Sequence, residues 1–159
     1  MSLFNANVFK FEVNTMKRYI FLFSIFFSGL SFATQAGNAD QIVGVWESPS
    51  GELMIKIDKV GNHFQGRIVW LETSGENQLA LDEYNPEERL RKMPLKGNKI
   101  IQELSFNSSE SLWDGGTFYN HKEGKLYNCK IILQSSDQIK ITKYTQNNKT
   151  GIIETWTRH

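Results

Sequence analysis

Residues 52–71 read ELMIKIDKVGNHFQGRIVWL, and this stretch decides the fold class. Apolar residues alternate with charged ones, and a period of two is the pattern of a β-strand with one buried face. Gly61-Asn62 is a turn signal, and the alternation resumes over residues 63–71. The inward residues predicted for the first strand are Leu53, Ile55 and Ile57, and those predicted to share one face of the second are Phe64, Gly66, Ile68 and Trp70. The stretch therefore predicts an antiparallel hairpin.

The same alternation continues on both sides of this hairpin. Clusters of Gly, Ser, Asn and Asp separate the runs, and no helix of crossover length lies between them, which argues against a parallel sheet. The predicted strands span residues 42–47, 52–59, 63–71, 99–106, 111–119, 125–133, 138–145 and 152–158. Eight consecutive antiparallel strands with one apolar face close most simply as a single all-β, up-and-down barrel. A two-sheet sandwich is the alternative.

The central loop, residues 72–96, is the one long irregular connection. Loops of this length in a compact domain are usually lids or binding elements. Residues 85–91 are predicted to form one helical turn, with Asn85 as its cap and Pro86 at its first position. A second irregularity is Gly115-Gly116 inside the fifth strand, which predicts a bulge, a bend or a close approach of backbone or ligand.

The N-terminal segment is predicted to be an export signal. Lys17 and Arg18 form a positive start, an apolar run follows over residues 19–30, and small residues precede cleavage near Ala33 or Ala36. The run is shorter than a membrane span of about 20 residues. We therefore expect residues 1–36 to be a signal peptide whose true start is Met16, and residues 37–159 to be the barrel domain of a periplasmic or secreted protein.

Composition excludes several classes of function. The formal net charge of +1 gives no sign of nucleic-acid binding, and the single cysteine, Cys129, permits no intramolecular disulfide. Cys129 falls in an alternating run and is predicted to be a buried apolar residue. The three histidines have no metal-ligand spacing, and no nucleophile elbow or phosphate-binding loop is present. We predict no metal, no cofactor and no catalytic residues.

At this point the ordered set of motifs resembles the bacterial family of exported proteins known as domain of unknown function 2147. Its matching pieces are Gly44-Val45-Trp46, residues 66–71, Asp82, Asn85-Pro86, Arg89, Arg91, Pro94-Leu95, Gly97, Trp113, Gly115-Gly116, Phe118-Tyr119, Gly124-Lys125, Tyr127 and residues 155–158. The sequence departs from the family pattern at Lys92-Met93 and at Asn120-His121.

The resemblance implies a lipocalin-like barrel. Such barrels tend to begin with Gly-x-Trp and to place a basic side chain of the last strand over the indole. Gly44, Trp46 and Arg158 fit this arrangement, which implies a cation–π contact worth about 0.5–2 kcal/mol that closes the base of the barrel.

A ligand site is predicted around the central loop and the glycine pair. Arg89 or Arg91 can hold a carboxylate or phosphate, and aromatic residues near the loop can line a concave mouth. The candidate ligand-binding residues are Asp82, Asn85, Arg89, Arg91, Trp70, Trp113, Gly115, Gly116 and Tyr119. The alternative is that the polar residues hold the loop on the barrel and the aromatic ones form an ordinary core.

Three functions stay open on the sequence. The first is an exported soluble barrel that binds a small amphipathic ligand near residues 82–95. The second is an interaction module of the cell envelope with a filled barrel and a protein partner. The third is an enzyme, which depends only on the carboxylates and arginines of the loop. We expect no nucleic-acid partner and no stable membrane insertion after the signal is removed.

Overall fold

The computed structural model of the protein describes residues 38–72, 79–148 and 150–159. The predicted signal peptide, residues 1–36, lies outside them. Eight antiparallel strands form a closed barrel in which each strand pairs with its neighbour in sequence. They are β1 (Gly44–Glu47), β2 (Leu53–Val60), β3 (His63–Leu71), β4 (Lys99–Asn107), β5 (Leu112–Asn120), β6 (Lys125–Ser135), β7 (Gln138–Tyr144) and β8 (Ile152–Arg158). The predicted up-and-down barrel is confirmed.

The meander divides the barrel into two ends. The β1–β2, β3–β4, β5–β6 and β7–β8 connections lie at one end, here called the open end. The remaining connections lie at the opposite end, here called the closed end, together with a short 3-10 helix at Ala39–Ile42. β1 and β8 complete the ring through the pairs Trp46 with Arg158 and Glu47 with Thr157.

The first strand is shorter than the sequence predicted. It begins at Gly44, because residues 39–42 form the 3-10 helix, and the Asn38 side chain caps this helix by accepting a 3.0 Å hydrogen bond from the Asp40 amide. Ile42, predicted to belong to the strand, is instead a fully buried residue of the helix. The apolar period was real, but a single helical turn buries a residue equally well.

Trp70 is also placed differently from the prediction. The register of β2 and β3 shifts between Met54 and Ile55, so that Ile55 pairs with Ile68 while Met54 pairs with Trp70. The shift reverses the inward parity of the last residues of β3. Trp70 is therefore 40% exposed, and Leu71 faces inward instead.

Large apolar side chains fill the barrel toward the closed end. Trp46 and Trp113 are buried there, and their indole N–H groups donate to the carbonyl oxygens of Ile42 (2.8 Å) and Ala39 (3.0 Å). The indoles thus satisfy their own polar atoms on the backbone of the 3-10 helix, which covers this end of the barrel. Other fully buried residues of this core are Ile55, Ile57, Phe64, Ile68, Ile101, Leu104, Ile131, Ile139 and Ile141.

Arg158 ties the closed end together. Its guanidinium carbon lies 4.1 Å from the centre of the Trp46 ring, so the predicted cation–π contact is present. The same guanidinium donates to the carbonyl oxygens of Ser136 (2.7 Å), Val43 (3.0 Å) and Gln41 (2.7 Å). Gly44 has a φ of +147°, a conformation that favours glycine, and a Cβ atom there would also overlap this guanidinium.

No helix in the described part of the chain is long and apolar enough to span a bilayer.

Candidate functional site

A pocket of about 630 Å³ lies at the open end of the barrel. Its walls come from the β1–β2 connection, the β5–β6 turn, the ends of β2, β3 and β5, the inner faces of β7 and β8, and three residues of the central loop. The lining residues are Ser48, Pro49, Ser50, Glu52, Leu53, Leu71, Glu72, Ala80, Leu95, Phe118, Asn120, His121, Lys122, Lys143, Glu154 and Trp156. A concave site of this volume with mixed apolar and polar walls is the size of a small-ligand site.

An ion pair lies inside the barrel wall of this pocket. Alternation along β7 turns Ile139, Ile141 and Lys143 inward, and Lys143 is only 6% exposed. Its ammonium group pairs with Glu154 Oε1 on the adjacent strand β8. Glu154 Oε2 accepts a 3.0 Å hydrogen bond from the Trp156 indole, which fixes the carboxylate. The ammonium also lies 4.8 Å from the centre of the Phe118 ring.

The rim of the pocket carries a second ion pair. Lys122 Nζ lies 2.7 Å from Glu52 Oε2 and joins the β5–β6 turn to the segment before β2. The hydrogen bond and the charge of Lys122 lower the pKa of the Glu52 carboxyl. Beside it, burial lowers the pKa of the His121 imidazole, and the charge of Lys122 adds to the effect. His121 is therefore neutral at physiological pH.

The central loop is fastened to the outside of the barrel by a buried carboxylate. Asp82 is 2% exposed and accepts hydrogen bonds from the Tyr119 hydroxyl (2.7 Å) and the Asn85 side-chain amide (2.7 Å). Burial and this hydrogen bond raise the pKa of the Tyr119 hydroxyl. A bridge between Leu81 and Pro94 closes the base of the loop. This anchoring holds Ala80 and Leu95, on the two arms of the loop, against the pocket.

The helical turn of the central loop is smaller than predicted. It is a 3-10 turn at Glu88–Leu90, and Asn85 does not cap it, because its side-chain oxygen accepts from the Glu87 amide in a turn that precedes it. Arg91 Nε donates to the Asn85 carbonyl oxygen (2.8 Å), and the exposed Arg89 pairs with Glu87 (2.8 Å).

None of the nine candidate ligand residues from the sequence lines the 630 Å³ pocket. Asp82, Asn85, Arg91 and Tyr119 are brought together by the loop contacts described above. Trp70 lies on the outer face and Trp113 in the closed-end core. Their role in binding stays a prediction.

The glycine pair forms the predicted bulge in β5. The register with β6 shifts between Trp113 and Gly116, and Gly115 is exposed at the bulge. A Cβ atom on Gly116 would lie 2.5 Å from the Gln102 carbonyl oxygen, so this glycine permits the close approach of β4. Within the described residues, the close approach is made by backbone of the protein itself.

The charged lining residues were missed by sequence reasoning. Lys143 and Glu154 fall at inward positions of their strands, beside apolar residues such as Ile141 and Trp156, and a charge at such a position was the available signal. Glu52, His121 and Lys122 lie in connections, where nothing local in the sequence shows that two turns meet across one opening.

Neither the thiol of Cys129 nor a cluster of metal-binding side chains provides a further site in the described part of the chain. Cys129 is fully buried in the wall of the barrel, and burial raises the pKa of its thiol to about 12. The thiol is therefore unreactive in the folded protein. Across residues 38–72, 79–148 and 150–159, no three His, Cys, Asp or Glu side chains are grouped to hold a metal ion.

The closed eight-stranded barrel with a pocket at its open end is a lipocalin-like fold. A solved structure supports this class: the protein HP1028 from the human pathogen Helicobacter pylori, described as belonging to the lipocalin family, has a similar fold. Its TM-score is 0.63 at 20% sequence identity, over 74% of this chain and 82% of that one.

The chain belongs to the family of uncharacterized proteins conserved in bacteria designated DUF2147, whose model matches residues 44–158. The resemblance drawn from the sequence motifs is thus confirmed. No curated protein matches the chain.

Proposed function

We propose that this chain is an exported protein of the bacterial envelope, periplasmic or secreted, that binds a small amphipathic ligand in the open-end pocket. The observation that carries the proposal is the pocket of about 630 Å³, well above the roughly 300 Å³ at which ligand sites begin. A filled barrel would have favoured the interaction module instead.

The walls of the pocket support an amphipathic ligand. Leu53, Leu71, Leu95, Phe118 and Trp156 supply apolar surface, which favours the apolar body of a ligand in proportion to the area removed from water. The charged groups lie at the rim and on one side of the barrel wall, where they can orient a polar head. The described lining therefore supports the binding of a ligand with an apolar body and a polar head.

A pocket-filling variant tests the proposal. The uncharged fluorophore N-phenyl-1-naphthylamine is titrated into the wild-type protein and into the variant Ala80→Trp, whose indole would occupy the pocket. The matched control is Leu79→Trp, because Leu79 is the adjacent residue, is 70% exposed and does not line the pocket. We expect Ala80→Trp to weaken dye binding at least tenfold and the control to leave it unchanged. Absence of dye binding to the wild type, or equal binding by all three proteins, would overturn the proposal.

The same titration decides the role of the loop arginines. If Arg89 or Arg91 holds the polar head, Arg89→Ala or Arg91→Ala weakens the binding of an amphipathic carboxylate that competes with the dye. Since Arg89 pairs with Glu87 and Arg91 binds the Asn85 carbonyl oxygen, we expect both variants to bind as the wild type does.

Export is tested separately from binding. The proposal is supported by the sequence of residues 16–36 alone. Intact-mass measurement of the protein from the envelope fraction of a native host should give an N-terminus at Thr34 or Gly37. Recovery of the uncleaved chain from the cytoplasm would contradict export while leaving the ligand proposal untouched.

A protein partner is the second candidate, and three exposed apolar side chains of the central loop favour it. Leu79, Tyr84 and Met93 are 70%, 66% and 50% exposed. If the loop recognises an envelope protein, the double variant Tyr84→Ser and Met93→Ser abolishes a cross-linked complex in the native host without changing dye binding. An unchanged complex would count against this candidate.

A further inference from the structure

The ion pair of Lys143 and Glu154 is not explained by the stability of the barrel. Both charges lie on inward positions of adjacent strands, and Lys143 is almost fully removed from water. Desolvating such a pair costs about as much as its attraction returns, so an apolar pair of similar volume commonly stabilises a protein equally well. Since stability does not account for the pair and the pair borders the pocket, we look for its role in ligand binding there.

The hydrogen-bonding capacity of the pair is uneven. Each carboxylate oxygen of Glu154 already has a donor: Lys143 binds Oε1 and the Trp156 indole binds Oε2. The Lys143 ammonium has three N–H groups, and among the described residues Glu154 is its one hydrogen-bond acceptor. Its other close neighbour is the Phe118 ring, which attracts the charge but accepts no conventional hydrogen bond. The pair thus offers a donor to a ligand.

The charges around the pocket disfavour an anionic ligand. The described lining residues include three carboxylates, Glu52, Glu72 and Glu154, against the two ammonium groups of Lys122 and Lys143. A ligand carboxylate bound to Lys143 would also lie beside the carboxylate of Glu154, and two like charges that close repel each other. A cationic head would meet Lys143 itself. An uncharged acceptor avoids both costs.

We propose that the ligand is an uncharged molecule with an apolar body and a carbonyl-type oxygen, such as a ketone, ester or amide, that accepts a hydrogen bond from Lys143 Nζ. This inference rests on the proposed function, since it assigns the ligand class of the same pocket. The apolar body lies along Leu53, Leu95 and Phe118, and Glu154 holds the ammonium in place and cancels its charge.

Three probes of equal chain length test the ligand class. Displacement of N-phenyl-1-naphthylamine is measured for 2-undecanone, n-undecane and undecanoate. A hydrogen bond from a charged donor favours the ketone over the alkane by about tenfold or more. We expect the ketone to bind most tightly and the carboxylate to bind more weakly than the ketone. Equal affinity for ketone and alkane, or tightest binding of the carboxylate, would overturn the inference.

Two variants locate the effect on the ion pair. Lys143→Met should lower the ratio of ketone to alkane affinity at least tenfold, because the buried carbonyl loses its donor, while Lys140→Met, the same change three residues earlier on the outer face of β7, should keep the wild-type ratio. Glu154→Gln leaves the ammonium without its counter-charge, so the affinity for undecanoate should rise about tenfold and exceed that for the ketone. An unchanged order of the three probes in Glu154→Gln would contradict the proposal.

The outcomes separate this inference from the proposed function. If the dye binds to the wild type and is lost in Ala80→Trp, but the three probes bind alike, the pocket is a ligand site and the ligand class is wrong. If the dye does not bind at all, the proposed function fails first. Should Lys143→Met not fold, the probe order in the wild type and in Glu154→Gln still decides the inference.

Discussion

The two ends of the barrel use polar groups in opposite ways. At the closed end, every strong donor described above binds a backbone carbonyl: the indoles of Trp46 and Trp113 bind the 3-10 helix, and Arg158 binds three further carbonyls. At the open end, Lys143 and Glu154 bind each other beside a pocket of about 630 Å³. The closed end thus resembles an ordinary packed core in which the polar atoms are hydrogen-bonded. At the open end, by contrast, charged side chains border a cavity.

From this difference we expect residues of the closed end to determine the stability of the barrel and, under the proposed function, residues of the open end to determine ligand binding. Close packing and satisfied hydrogen bonds make the closed end sensitive to substitution, because any loss leaves a cavity or an unpaired polar atom. The open end already contains the cavity, so under the proposed function we expect a change there to alter ligand binding more than the stability of the fold.

The largest expected effect comes from removing the guanidinium of the closed end. Arg158→Ala loses the contact with the Trp46 ring and three hydrogen bonds, and should lower the free energy of unfolding by about 3 kcal/mol in urea denaturation. Binding of N-phenyl-1-naphthylamine to the folded fraction should not change, since Arg158 does not line the open-end pocket.

Arg89→Ala is the matched control for this substitution. Arg89 is exposed and makes one surface ion pair, which is worth at most about 1 kcal/mol. Equal losses of stability in the two variants would show that the closed end does not carry the stability assigned to it.

The next effect concerns the fastening of the central loop. Tyr119→Phe removes the hydroxyl that donates to the buried Asp82 and should cost about 1.5 kcal/mol. Hydrogen exchange should increase at residues 80–95 and stay slow in β6 and β7. If the loop keeps its wild-type protection, Asp82 does not anchor it through Tyr119.

A smaller effect appears in alkali through Cys129. Burial raises the pKa of this thiol from its ordinary value of about 8.5 to about 12. Because the folded pKa is the higher one, the thiol's contribution to stability is complete below about pH 8.5 and is lost as the pH rises toward 12. Between about pH 9 and pH 10 this group should lower the free energy of unfolding by about 1 kcal/mol.

Cys129→Ala isolates that dependence. The variant shifts stability by a constant amount for the lost side-chain volume, but its curve should be flatter than that of the wild type over the same pH interval. In the folded wild type, a thiol reagent should react only as fast as the chain unfolds. Rapid reaction of the folded protein would show that Cys129 is accessible to the reagent. The part of the barrel assigned here to the packed core would then be smaller than described.

The barrel itself was predictable from the sequence, because a period of two repeated over eight runs leaves few alternatives for the topology. The sequence predictions failed where the structure deviates locally from that period of two. The bulge before Trp70 turned this residue outward and Leu71 inward, and no single-sequence pattern locates such a register shift. The 3-10 helix at residues 39–42 buried Ile42 by a contact that alternation does not describe.

The candidate site was less predictable for a different reason. The sequence drew attention to the central loop because it is long and polar, but the described pocket takes only Glu72, Ala80 and Leu95 from that loop. Its charged residues come from five separate parts of the chain: the β1–β2 connection, the central loop, the β5–β6 turn, β7 and β8. Among them, Lys143 and Glu154 were visible in principle as charges at inward positions of the hairpin formed by β7 and β8, but the sequence does not show that they border an opening shared with Glu52 and Lys122.

The smallest expected effect on stability is the most informative about the open end. Replacing both members of the buried pair, in Lys143→Met with Glu154→Leu, removes two desolvated charges and their attraction together, so the free energy of unfolding should stay within about 1 kcal/mol of the wild type or increase. The Trp156 indole loses its acceptor in this variant, which limits the gain. Urea denaturation measures the first quantity, and displacement of the dye by 2-undecanone and n-undecane measures whether the preference for the ketone has disappeared. A loss of 3 kcal/mol, comparable with that of Arg158→Ala, would mean that the pair holds the barrel together, and the contrast between the two ends would then be wrong. A stable variant that no longer distinguishes the ketone from the alkane would show that the open end keeps its charges for the ligand.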